Sequence, residues 1–101
     1  MNVAEWLDVA PYKNPIVRYR AHCSDGFSVS IQVGIAAYCA PRRDSLPGVN
    51  YTEVELGYPS AAVPEWIEYA EDEDKPVDTV YAYVPVELVD VVLAQHGGIV
   101  P

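Results

Sequence analysis

The chain has 101 residues, 15 acidic against 6 basic side chains and a formal charge of −9, enough length for one domain with one modest core. Half of its residues are hydrophobic and 11% are aromatic, which sets it apart from disordered chains. The negative balance disfavours broad binding to nucleic acid or to anionic membranes, and no apolar run reaches the roughly 20 residues of a membrane span.

The start, Met1 to Trp6, has neither the basic opening nor the apolar stretch of an export signal, so a reducing cytoplasm is expected, with Cys23 and Cys39 as free thiols. In chain order, Asn2 suits the N-cap of a short helix over residues 3–9, where Val3, Trp6 and Leu7 fall at helical spacing. Pro11 and Pro15 break that pattern. Residues 16–34 read as a hairpin. Val17, Tyr19, Ala21 and Cys23 alternate with Arg18, Arg20 and His22 in the first arm. Phe27, Val29, Ile31 and Val33 alternate with Ser28, Ser30 and Gln32 in the second, the pattern of half-buried strands. Ser24-Asp25-Gly26 joins them, with Gly26 free to take a positive φ.

Residues 35–50 hold no sustained period and read as a loop, with a short strand around Ala36–Cys39. Over 51–57, Thr52, Val54 and Leu56 alternate with Tyr51, Glu53 and Glu55, a third strand. Trp66, Ile67 and Tyr69 fit one helical turn after Pro64, and Glu71 to Asp74 before Lys75-Pro76 read as an exposed linker. Residues 78–84 are β-branched and aromatic, a fourth strand with Tyr81 and Tyr83 on one face. Pro85 fits the first turn of a helix in which Val86, Val89, Val92 and Leu93 form an apolar stripe, ended by Gly97-Gly98. The expected fold is a single α+β domain over residues 1–101. It is a small antiparallel sheet of about four strands, packed by a C-terminal helix, with a short N-terminal helix.

Charge is uneven along the chain. Residues 1–43 carry five basic and three acidic side chains, a net +2, and residues 44–101 carry one basic and twelve acidic, a net −11. Such polarity marks either a partner surface or pairing within the sheet. Arg18 and Arg20 share the two-residue spacing of Glu53 and Glu55, so cross-strand ion pairs of ~0.2–1 kcal/mol each are expected.

Two segments stand out as candidate sites. Tyr38, Arg42 and Arg43 share a loop with Cys39, and arginine forks there suit phosphate or carboxylate. The competing reading puts Tyr38 and Cys39 in the core and leaves the arginines as surface counter-charges. A thiol near two guanidiniums is a conceivable nucleophile, but the sequence places neither His22 nor His96 as its base. Glu65, Glu68, Glu71, Asp72, Glu73 and Asp74 either present an acidic face to a partner or solvate a loop. Tyr81 and Tyr83, if uncovered, become a binding surface, and a tyrosine-rich edge suits a homodimer. No phosphate-loop, dinucleotide, zinc or hydrolase motif occurs, so no cofactor, metal or enzymatic activity is expected.

Asp25 to Gln32, Tyr38 to Arg42, and Thr79 to Val89 with His96-Gly97-Gly98-Ile99 together resemble a group of small acidic hypothetical proteins of tailed bacteriophages and prophages. The similarity covers most of residues 25–99. It implies expression in the cytoplasm of a bacterial host and carries over no catalytic residue. Small acidic phage accessory proteins often act by binding a host factor stoichiometrically. The expectation is therefore an accessory protein that binds a host protein, for instance a component of antiviral defence, as an anti-CRISPR does. The alternative is a small-anion or nucleotide binder using the Tyr38–Arg43 loop.

Overall fold

The computed structural model describes residues 1–101. Helix α1 (Val3–Val9) begins with a reciprocal cap. Glu5 N donates to Asn2 Oδ1 at 2.9 Å and Asn2 N donates to Glu5 Oε1 at 3.0 Å, which satisfies donors that a helix start leaves open. Val3, Trp6 and Leu7 are buried, as their spacing requires. Strands β1 (Ala21–His22), β2 (Ser28–Gln32), β3 (Glu53–Gly57) and β4 (Val80–Pro85) lie side by side in chain order, each antiparallel to the next.

Helix α2 (Val86–Gln95) buries Val89, Val92 and Leu93 in one core with Val29, Ile31, Val54, Leu56, Tyr81 and Val84 of the sheet. Neither face could leave water alone, so the helix covers the sheet. Pro85 caps α2 rather than occupying its first turn, and Gly97 and Gly98, both at positive φ, close it. Between β3 and β4, the 3-10 helix Pro64–Tyr69 buries Trp66 completely, edge-on to both Phe27 and Tyr81. No helix is long and apolar enough to cross a membrane.

The first arm of the hairpin departs from its alternation. Pairing with β2 is confined to Ala21↔Val29 and His22↔Ser28. Upstream, the chain pairs with itself: Tyr12 bridges Arg18, Lys13 N donates to Val17 O and Tyr19 N donates to Pro11 O. This small loop sets the parity of residues 17–19, so Arg18 is buried while Val17 and Tyr19 are exposed. The ion pairs expected with Glu53 and Glu55 do not form, because β2 separates β1 from β3. Arg20 instead holds the Ser28 hydroxyl and carbonyl and, at 2.6 Å, the Tyr58 carbonyl. No lysine or arginine pairs with a carboxylate, and the one histidine–carboxylate contact joins His96 and Asp25.

Three smaller differences follow from where the strands start and stop. Residues 36–39 turn rather than extend, and Ala40 alone bridges Glu53. Tyr51 is buried and Thr52 exposed, the reverse of the expected alternation, because β3 begins only at Glu53. Tyr81 and Tyr83 do not share a face. The register between β3 and β4 shifts opposite Val54 and Leu56, and such a bulge re-aims one side chain. Tyr83 takes φ +54 and is 41% exposed, while Tyr81 is fully buried.

Both edges of the sheet are covered in part, which blunts a surface that otherwise invites strand pairing. Beside β1, Cys23 bridges Ile99 and Val100 N donates to His22 O. Beside β4, Ala70 bridges Tyr81 and Glu71 N donates to Val80 O at 2.9 Å.

Candidate functional site

The two segments singled out from sequence both reach β4. The acidic tract leaves its outer edge at Ala70, opposite Tyr81. The arginine loop comes from the other side, where Ala40 bridges Glu53 of β3 and Glu55 accepts from Tyr38 N, and it reaches β4 across β3 through the bond from Tyr83 N to Tyr38 O. Glu65 and Glu68 lie on the 3-10 helix, and Glu71, Asp72, Glu73 and Asp74 form the tip of an irregular hairpin. All six are exposed and none is in an ion pair. The tip is a built turn rather than a slack linker: Asp72 N donates to Thr79 Oγ1, Asp74 N to Asp72 Oδ1 and Lys75 N to the Asp72 carbonyl.

Tyr38 and Arg42 come together, with the guanidinium carbon 5.4 Å from the ring centre, within cation–π range. Arg42 Nε donates to Ile35 O at 2.9 Å, and Tyr38 N donates to Glu55 Oε1 at 2.9 Å. The Tyr83 ring stands 6.0 Å from that of Tyr38. The exposed surface therefore runs Tyr83, Tyr38, Arg42. Arg43 is exposed and joins through its backbone, its carbonyl accepting from the Tyr51 hydroxyl at 2.6 Å.

Tyr38 is thus a surface residue and Cys39 a core residue, which splits the reading that put both inside. Cys39 Sγ sits among backbone groups, accepting from Gly34 N at 3.3 Å and facing the carbonyls of Gly34 and Pro41. Cys23 is also a free, buried thiol. Burial pushes it up, Asp25 adds to the effect and the amino terminus opposes it. Asp25 in turn meets His96 Nδ1 at 2.7 Å, while the His96 ring stacks on Phe27 at 4.2 Å. That cluster ties the β1–β2 turn to the end of α2.

Sequence reasoning missed a cleft of about 320 Å³ on the other side of Ile35. Its walls are the loop that carries Tyr12, Ile16, Val17 and Arg18 and the loop that carries Gly34, Ile35, Ala37 and Asp44. Asn14 Oδ1 fixes the first loop by accepting from Ile16 N and Val17 N, and Asp44 Oδ1 fixes the second by accepting from Ile35 N. Gly34 is required there, since at φ +130 a Cβ would stand 2.7 Å from that same Asp44 oxygen. Ile16 and Ile35 are each 64% exposed at the mouth, and Arg18 is only 7% exposed. The signal in the sequence was Arg18 itself, a cation that alternation assigned to the wrong face.

Compared with family models, with curated proteins and with solved structures, the chain gives no match.

Proposed function

We propose that this chain is a binding protein that engages one protein partner stoichiometrically, as a phage or prophage accessory factor directed at a bacterial host protein such as a component of antiviral defence. The setting rests on the resemblance of residues 25–99. The surface rests on the exposed row Tyr83, Tyr38 and Arg42, formed by β4 and the loop that crosses β3. Tyrosine and arginine are the residues that most often carry binding energy at interfaces. Tyr83 reaches the row only by holding a positive φ, a strained backbone of the kind that collects at functional positions. The acids Glu71 to Asp74, which leave the outer edge of β4 at Ala70, steer approach toward a basic partner surface and set its orientation.

Capture from a host bacterial lysate tests this, comparing the natural chain with Tyr38→Ala/Arg42→Ala. Both side chains are exposed, and circular dichroism of the variant checks its fold. The natural chain is expected to recover one protein near equal stoichiometry, and the folded double variant to lose it. Recovery of no partner, or equal recovery by both, overturns the proposal.

The alternative, an anion held by Tyr38, Arg42 and Arg43, has in its favour that Arg42 commits only Nε to the protein. A nucleotide panel in a thermal-shift assay tests it, because a ligand of the folded state raises the melting temperature.

A further inference from the structure

Arg18 is buried without an anion. One nitrogen, Nη1, donates to Val33 O at 3.1 Å, Nε has no partner, and the Tyr12 ring covers the guanidinium at 4.8 Å. Its backbone is locked in place, with Gln32 Oε1 accepting from Arg18 N and Gln32 Nε2 donating to Arg18 O. In a chain with 15 acidic side chains, none pairs with this one. A desolvated guanidinium is costly unless an acceptor of opposite charge reaches it, and Arg18 lines the cleft between the two loops.

The other charged groups of the cleft narrow the choice of ligand. Asp44 and Glu55 also line it, each committing one oxygen to a loop N–H, that of Ile35 or Tyr38, and leaving the other uncommitted. A phosphate or another multiply charged anion would meet these two carboxylates. A molecule with one carboxylate and one ammonium matches a buried cation flanked by two acids. The remaining walls, Ile16, Val17, Val33, Ile35 and Ala37, are apolar, and the volume suits a molecule the size of one residue.

We propose that this cleft binds a free apolar α-amino acid. Its carboxylate meets Arg18, its ammonium faces Asp44 and Glu55, and its branched or aromatic side chain lies between Ile16 and Ile35. This site is separate from the Tyr83–Tyr38–Arg42 row and does not depend on the protein-binding reading.

The test is titration of the isotope-labelled chain with L-leucine and L-phenylalanine, following the amide signals of Gly34, Ile35 and Ala37. Isoamylamine and 4-methylpentanoate, which lack the carboxylate and the ammonium of leucine, serve as comparators. Saturable shifts are expected with both amino acids, and binding weaker by about tenfold or more with each comparator, the loss that follows from one missing charge-assisted contact. Arg18→Gln abolishes the shifts. Should that variant fail to fold, Ile16→Ser/Ile35→Ser removes only exposed side chains and weakens binding by about tenfold. Absence of saturable shifts with either amino acid at tens of millimolar, equal binding of either comparator, or unchanged binding by the isoleucine variant overturns the proposal.

Discussion

Tyr83 gives its backbone N–H to the carbonyl of Tyr38 at 3.0 Å, and the rings of the same two residues lie 6.0 Å apart. One strand irregularity thus does two things. It frees the Tyr83 amide to bond the Tyr38 carbonyl, and it places a second ring beside Tyr38. Glu55 completes the arrangement by accepting from Tyr38 N, so both backbone polar groups of Tyr38 are satisfied while its side chain stays at the surface.

The conformation of Tyr83 is directly testable. At φ +54 a β-branched residue is the worst tenant, and asparagine one of the better ones. Tyr83→Val is expected to lower unfolding stability by about 2 kcal/mol and Tyr83→Asn by less than about 1 kcal/mol. Urea denaturation separates the two, and equal losses would contradict a strained site.

A second close approach joins α1 to the turn before β3. Gly48 N donates to Asp8 Oδ1 at 2.7 Å, and a Cβ at Gly48 would stand 2.1 Å from the backbone oxygen of Ala4. Rigid backbone cannot yield as a flexible side chain can, so Gly48→Ala is expected to cost about 2–3 kcal/mol. Gly57→Ala, whose nearest atoms lie 3.6 Å away or more, serves as the control and is expected to stay within about 0.5 kcal/mol. Denaturant midpoints of the two variants decide it.

Much of the architecture was legible because it rests on local rules. The Asn2 cap and the Val3, Trp6, Leu7 face of α1, the inward row Phe27, Val29, Ile31 and Val33, and the stripe of α2 all follow from period and capping alone. What was not legible depends on non-local geometry. Alternation assumed that residues 17–23 face one sheet throughout, whereas residues before Ala21 pair with Tyr12 and Pro11 and so bury Arg18. A two-residue period likewise cannot reveal a bulge, so alternation puts Tyr81 and Tyr83 on one face that the structure divides. The cleft, and the approach of the acidic and arginine segments to β4 from two sides, arise from loops meeting across the fold, and no spacing within either loop encodes the other.

Two carboxylates give stability opposite dependences on pH. Asp25 lies below the ordinary carboxylate value, first because Phe27 N donates to Oδ1 at 2.9 Å and second because His96 meets Oδ2. A depressed value in the fold means that its contribution is present above the unfolded value and lost as pH falls through the folded one. Asp25→Asn is therefore expected to flatten the loss of stability below about pH 4. Melting temperatures measured across the acid range check this, and an unchanged acid limb would show that the contact contributes nothing.

Asp90 behaves the other way. Burial raises it, Glu87 and Glu5 add to the rise, and the bond from Val3 N at 2.8 Å opposes it. With the folded value above the unfolded one, this group's contribution declines as pH climbs from the ordinary carboxylate value through the raised one. Asp90→Asn keeps an acceptor for Val3 N without the charge, so it is expected to be more stable than the natural chain at neutral pH and to lack that decline. Asp90→Ala removes the acceptor at the start of α1 and is expected to cost about 1 kcal/mol. A stability–pH series on both variants gives the sign.

Arg20 tests whether the charge asymmetry of the sequence is spent within the sheet. Its guanidinium binds the Ser28 hydroxyl and the carbonyls of Ser28 and Tyr58, so it acts as a donor fork holding the chain just beyond β3 against β2 rather than as half of an ion pair. Arg20→Met leaves those acceptors short of a charged donor and is expected to cost about 1–3 kcal/mol. Glu53→Gln and Glu55→Gln touch no part of that fork. Double-mutant cycles of Arg20→Met with each are therefore expected to give coupling below about 0.3 kcal/mol, whereas a cycle with Ser28→Ala gives coupling of about 0.5 kcal/mol or more. Substantial coupling to either glutamate would restore cross-strand pairing. Its absence leaves Glu53 and Glu55 outside any ion pair, and the negative charge of the second half is then not spent within the sheet.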